Sequence, residues 1–245
     1  GAVMTQARAS SIRRFFFRAI TGGADRLLCQ GESWRDFFVE YCGYEQRRCP
    51  IVPNWTAEEE YLRLGSERRY ADDAIARILF VGWLSEAKGV LELLEAVRIL
   101  VVERQRRNLI VDICGDGGAG LRAREVAEAH GLPVRFHGWV EGDLKRSLFA
   151  EASIFTLPSY NEGFPNAVVE AMASGLPVVV TPVGCIPDFV VNNENGLLVP
   201  PQDAGALADA LEQLIGRADE RSRLGRGAWR VARSKFTAEA AAARL

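Results

Sequence analysis

Six short apolar runs rich in β-branched residues alternate with amphipathic stretches from about residue 76 onward, and no other feature limits the fold as sharply. The runs read RILFVG, LIVDICG, VRFHG, SIFTLP, PVVVT and GLLVP. Apolar residues return at helical spacing over 88–106, 121–130, 142–151, 166–174 and 203–215, with a further helical tail to the end. Strands this short and apolar are covered on both faces. Strands separated by helices pair in parallel, because each crossover returns the chain to the same edge. The expected class is α/β, a Rossmann-like parallel sheet with helices on both faces. Ligands in such sheets sit beyond the carboxyl ends of the strands, where strand order reverses. The loops that follow the strands are therefore where function is to be sought.

Residues 1–55 follow another pattern: helix, a strand in RLLCQ, a helix in SWRDFFVEYCG and a strand in CPIVPN. Two strands do not make a stable sheet domain alone, so this portion reads as the remnant of an N-terminal domain. Residues 56–75 are dense in charge and read as a solvated linker, helical in part. The main domain is expected over 76–235, with a helical tail at 236–245. Arg8, Arg13, Arg14 and Arg18 surround Phe15, Phe16 and Phe17 near the start. One reading is a basic helix in peripheral contact with a membrane. The other, favoured because three consecutive aromatics make no single stripe, is a surface helix docked by its phenylalanines. The net charge of −2 gives no pull toward nucleic acid. Cys29, Cys42, Cys49, Cys114 and Cys185 have no metal-type spacing. They read as buried free thiols of a reducing, cytoplasmic compartment.

Three loops hold candidate chemistry. In CGDGGAG, Gly115, Gly117 and Gly120 fit G-x-G-x-x-G, a dinucleotide turn when placed between strand and helix. Here it is the second turn of the domain. The next strand ends in His137 and Gly138, where a ribose-binding acid would stand. An NAD(P)-binding oxidoreductase is thus a weakly supported alternative. In FVGWLSEAKGV, Gly82 ends a strand and Lys88 opens a helix, an arrangement that can hold an anion, although solvated lysines at helix starts are common.

The third stretch is LPSYNEGFPNAVVEAMASGLPVVVT, residues 157–181. Pro165 suits a helix start and Gly175 its end. The helix between them is apolar except for Asn166, Glu170 and Ser174, which share one stripe. A carboxylate on an otherwise buried helix costs several kcal/mol unless paired or hydrogen-bonded. A sugar diol would satisfy Glu170, and so would a core arginine. Glu162 and Gly163 precede the helix, whose free N–H groups complete an anion site.

Glu162, seven residues and then Glu170, within EGFPNAVVEAMASGLPVVVT, resembles the signature of the group 1 glycosyltransferases of the GT-B fold. FVGWLSEAKG, ICGDGG, FHGWV and VGCIPDFVVNNENGLLVPPQDAGALADAL agree in order, and ADRLLCQG and IVPNW resemble the end of the family's N-terminal domain. The resemblance implies a GT-B-type sheet and transfer of a sugar from a nucleotide diphosphate donor, with retention of configuration and no bound metal or other cofactor. The acceptor would be a glycan, a lipid or a small molecule, at the cytoplasmic side of the membrane. It implies Glu162 and Lys88 as catalytic, Lys88 neutralising the departing diphosphate. Glu170 would bind the ribose. Phe164, Pro165 and Asn166, with Gly163, would line sugar and diphosphate. Gly115 and Gly117, with His137, Gly138 and Trp139, would frame base and ribose.

Departures accompany the match. Trp83 follows Gly82 where the family commonly has arginine, and Cys185 follows Gly184 where a second glycine is usual. The acceptor-binding glycine loop is absent, so the chain reads as chiefly the donor half, with the rest of an N-terminal domain as its missing partner. A non-catalytic nucleotide- or sugar-binding module is the other alternative.

Overall fold

The computed structural model describes residues 11–71 and 75–244, with side chains from residue 15 onward. Arg8 and the side chains of Arg13 and Arg14 lie outside the described residues. Helix α1 (Ser11–Thr21) comes first, then α2 (Glu32–Asp36), which continues as a wider turn to Tyr41. Helix α3 spans Glu59–Glu67. The sheet domain then runs β1 (Ala76–Val81), α4 (Val90–Arg98), β2 (Leu109–Cys114), α5 (Gly120–Ala129), β3 (Val134–Gly138) and α6 (Gly142–Glu151). It continues with β4 (Ile154–Leu157), α7 (Asn166–Ala173), β5 (Val178–Val180), β6 (Leu197–Leu198), α8 (Ala204–Leu214), α9 (Ala218–Lys235) and α10 (Ala238–Ala242).

All six strands pair in parallel in the order β3-β2-β1-β4-β5-β6. This is the expected class, and order reverses between β1 and β4, so the crevice above those two strands is the binding position for such a sheet. Strands β4 and β5 are wholly buried, which is why their sequences are uninterrupted apolar runs. The helix expected at 88–106 opens later, at Val90. Gly89 adopts a left-handed φ of 71°, and a Cβ there would lie 2.1 Å from the Pro158 carbonyl oxygen.

Residues 56–75 are not simply a solvated linker. Helix α3 packs on α7 and α9 and buries Tyr61 against Phe149. Arg68, just beyond it, donates to the carbonyls of Phe149 and Ala152 at the end of α6 and of Ser174 at the end of α7. These are orphan helix-end carbonyls, which the half-buried guanidinium satisfies. The segment from residue 236 carries the short helix α10 and is anchored at its start. Phe236 is buried in the main core, its ring 5.0 Å from Phe164.

The N-terminal portion has a small core of its own, built on Phe37, Phe38, Cys42 and Cys49. Its two expected strands meet in one parallel bridge, Cys29 to Ile51. Of the three consecutive phenylalanines only Phe17 packs inward, on Phe37 and Phe38, while Phe15 and Phe16 stay exposed. The five cysteines are buried free thiols, as expected.

Candidate active site at the strand-order reversal

A pocket of about 270 Å³ opens above the carboxyl ends of β1 and β2. Gly82 and Trp83 of the β1 loop form one wall, Gly115 of the β2 loop another, and Trp139 after β3 a third. Asn166 and Glu170 enter from α7, and Lys145 from α6. Two tryptophans at its mouth are unusually open, Trp83 at 56% and Trp139 at 67% exposure. Cys114 lines the floor, and burial pushes its thiol up to about 12, so it is inert there.

Glu170 sits where its stripe on α7 placed it, with 8% of its surface exposed. Its partner is not the core arginine of the simple structural expectation but Lys145, whose Nζ lies 2.7 Å from Oε1. The other oxygen, Oε2, is buried and has no hydrogen-bond partner. Burial raises the carboxyl above its ordinary value, and the Lys145 ammonium pulls it back down. A buried carboxyl oxygen without a partner, on a residue that lines a pocket, is an acceptor that a hydroxyl could satisfy. Lys145 was not singled out in the sequence. Its position one turn into α6 became informative only when the sheet order brought α6 beside α7.

Glu162 and Lys88 form a second cluster, and neither lines the pocket itself. Lys88 Nζ is 2.6 Å from Glu162 Oε1, and the Ser159 hydroxyl donates to the same oxygen at 2.8 Å. The two expected catalytic residues are thus an ion pair, Glu162 being almost fully buried. Val168 N–H bonds the Pro165 carbonyl, so the free N–H groups at the start of α7 are fewer than the sequence suggested.

The side chains of the other expected residues are placed as follows. Phe164 turns inward to Phe189 and Phe236, leaving its backbone at the site. His137 turns away from the pocket to Asp112, Nε2 to Oδ1 at 2.7 Å. The Gly138 carbonyl accepts the Gly115 N–H at 2.6 Å, and Asp116 accepts the Trp139 N–H. A Cβ on Gly115 would fall 1.9 Å from the Gly82 carbonyl oxygen, and one on Gly117 would fall 2.4 Å from that of Leu84. The G-x-G spacing is therefore dictated by the neighbouring loop of this chain. Gly163 packs on the Gln30 side chain, and Pro165 caps α7.

The N-terminal portion reaches this site. Asn54 Nδ2 donates to the Phe164 carbonyl and to Asn166 Oδ1, both at 2.6 Å, while Gln30 holds Asn54 Oδ1 at 2.8 Å. Ser33 donates to the Gly184 carbonyl, and the Glu32 N–H to Asp188. This amide chain fixes the turn into α7, and neither asparagine nor glutamine carries a sequence signal that would have revealed it.

The family model described as glycosyl transferases group 1 matches residues 75–217. The chain is similar to the D-inositol 3-phosphate glycosyltransferase of Corynebacterium glutamicum, 38% identical over 96% of this chain and 59% of that protein. It spans between 38% and 60% of the lengths of the corynebacterial relatives it matches. In fold it is similar to the sucrose-phosphate synthase of Thermosynechococcus elongatus, with a TM-score of 0.77 and 24% identity over 96% of this chain and 60% of that one. Anabaena HepE, solved in complex with UDP, gives 0.77 at 18% identity over 95% of this chain and 65% of that one.

Proposed function

The chain belongs to the group 1 glycosyltransferases, and from that premise we propose that it forms the donor half of an enzyme moving a sugar from a nucleoside diphosphate to a glycan, lipid or small-molecule acceptor. The observation that carries this reading is Glu170: a buried carboxylate held by Lys145, with Oε2 unpartnered at the pocket. A ribose diol is a matching pair of donors. Trp83 and Trp139 offer flat, open faces at the mouth for a base.

Cleavage of a sugar–phosphate bond leaves charge on the diphosphate, and catalysis is largely the stabilisation of that charge. In this reading Lys88 and the start of α7 supply it without a metal. Lys88 is paired with Glu162 before the donor arrives, so the diphosphate competes for its ammonium and releases the carboxylate toward the sugar. Retention of configuration, with Glu162 toward the sugar, is part of the same reading. Residues 1–55 belong, in the same reading, to the acceptor-side domain, supported by the separate core and parallel bridge formed between Leu27 and Ile51. Exposure of Phe15, Phe16 and Ile20 supports a peripheral contact of α1 with the inner face of the membrane. Among the described residues no helix is long and apolar enough to cross one.

Thermal shift with UDP, GDP, ADP and NAD tests the proposal, since a ligand of the native state raises stability by RT ln(1 + [L]/Kd). A nucleoside diphosphate is expected to stabilise the protein. Stabilisation by NAD alone would sink the reading in favour of an oxidoreductase.

A further inference from the structure

The amino-terminal edge of the sheet, opposite the donor pocket, holds a second concavity of about 300 Å³ between α3 and α9. Gly65, Arg68 and Tyr70 line it on one side, and Arg226, Trp229 and Arg230 on the other. Its floor is backbone against backbone. A Cβ on Gly65 would meet the Ala173 carbonyl oxygen at 2.3 Å, and one on Gly225 would meet that of Gly175 at 2.2 Å. The Trp229 indole N–H is anchored on the Leu62 carbonyl at 2.9 Å, and Arg233 lies over its ring at 5.3 Å.

Charge in this pocket is uncompensated. Arg226 and Arg230 are exposed, one helical turn apart, and among the described residues neither has an acidic partner. The only acids of α9 are Asp219 and Glu220 in its first turn, and Glu220 is held by Arg223. Arg68 spends its donors on carbonyls, so its charge also meets no acid here. The nearest acid of α3, Glu67, lines a neighbouring depression beside Arg68 and Arg69. Like charges at i, i+4 destabilise a helix by a few tenths of a kcal/mol, a cost with no return unless an anion sits between them. The guanidinium fork matches the oxygens of phosphate as it does those of a carboxylate, and two forks one turn apart can share a tetrahedral anion. No large exposed hydrophobic residue lies on α3 or α9, so nothing here would enter a lipid layer.

We propose that the α3–α9 pocket binds the phosphate group of a soluble phosphorylated small molecule, with Arg226 and Arg230 as its ligands. The site shares no residue with the donor pocket and does not depend on the glycosyltransfer reading. Calorimetric titration of the full chain with inorganic phosphate at low ionic strength tests it. Arg226→Gln with Arg230→Gln is expected to weaken phosphate binding at least about tenfold, the loss of charge-assisted bonds. Lys88→Ala, which disables the donor side, is expected to leave that binding within about twofold. The paired lysine variant, which keeps charge but loses the fork, is expected between wild type and the glutamine pair, and gives a readout if the latter does not fold. Equal affinity in the glutamine and wild-type proteins would overturn the proposal, as would no phosphate binding by the wild type, or loss of binding in Lys88→Ala alone. Arginine-dependent sedimentation with phosphatidylglycerol vesicles, without binding of free phosphate, would also overturn it, by showing a lipid head group as the ligand.

Discussion

Lys145→Met removes the cation from Glu170 while keeping most of the side chain's length and apolar stem. Wild-type Glu170 has one oxygen on Lys145 and the other on nothing. Removing one member of a buried pair costs about 3–5 kcal/mol when both are fully enclosed. The Lys145 side chain keeps 22% of its surface exposed, so water screens part of the interaction and about 2 kcal/mol is the working figure. The sign with pH follows from the direction of the Glu170 shift. Its carboxyl lies above the ordinary value in the folded protein and rises further once burial is unopposed. A group that binds its proton more tightly when folded favours the native state at acid pH, and that advantage is lost as pH rises through the folded pKa. The variant should therefore be most destabilised at pH 8, where the bare carboxylate must stay ionised, and least at pH 5, where it takes up a proton. Urea denaturation at both values measures this, and nucleotide titration should show affinity failing at a higher pH than in the wild type. Lys145→Arg should restore both. A destabilisation below about 0.5 kcal/mol, the level of ordinary surface changes, or one equal at the two pH values, would refute the argument.

Three further outcomes are expected. Gly115→Ala, at φ 133° and with its Cβ driven toward the Gly82 carbonyl, should lower stability by about 3 kcal/mol in chemical denaturation, and a loss under 1 kcal/mol would show that the loop yields. Asn54→Ala leaves the Phe164 carbonyl and Asn166 without their donor, so about 1–2 kcal/mol of stability should go, together with weaker nucleotide binding in calorimetry. Unchanged nucleotide affinity would confine Asn54 to a structural role. Glu170→Gln should weaken nucleotide binding, whereas Glu162→Gln should spare the nucleotide and impair binding of the sugar-bearing donor; the reverse pattern in paired titrations would exchange their roles.

Strand and helix order was legible because β-branched runs and 3.6-residue periodicity are local signals. So was Glu170, since a lone acid on a buried helix is conspicuous in any register. What joined it was not legible. Lys145 looks like any solvated lysine of an amphipathic helix until the strand order is known. Asn54 and Gln30 meet the turn into α7, at Phe164 and Gly163, across more than a hundred residues of sequence. The error at 56–75 has a related cause: α3 has only one fully buried apolar side chain, Tyr61, and its packing relies on Gly65, whose role is the space it leaves. His137 and Phe164 were placed by neighbours in sequence, while their side chains follow Asp112 and the aromatic core.

The loops after β1 and β2 lean on each other through main-chain atoms, with Gly115 and Gly117 set against the carbonyl oxygens of residues 82 and 84. A carbonyl oxygen is common to every amino acid, so no second mutation can make room for a side chain at 115 or 117. Those two positions are closed to drift. A lineage adapting this chain to a new donor is left with the exposed side chains around the locked frame, Trp83 and Trp139. Libraries built to alter nucleotide choice should be concentrated there, with the glycines held fixed.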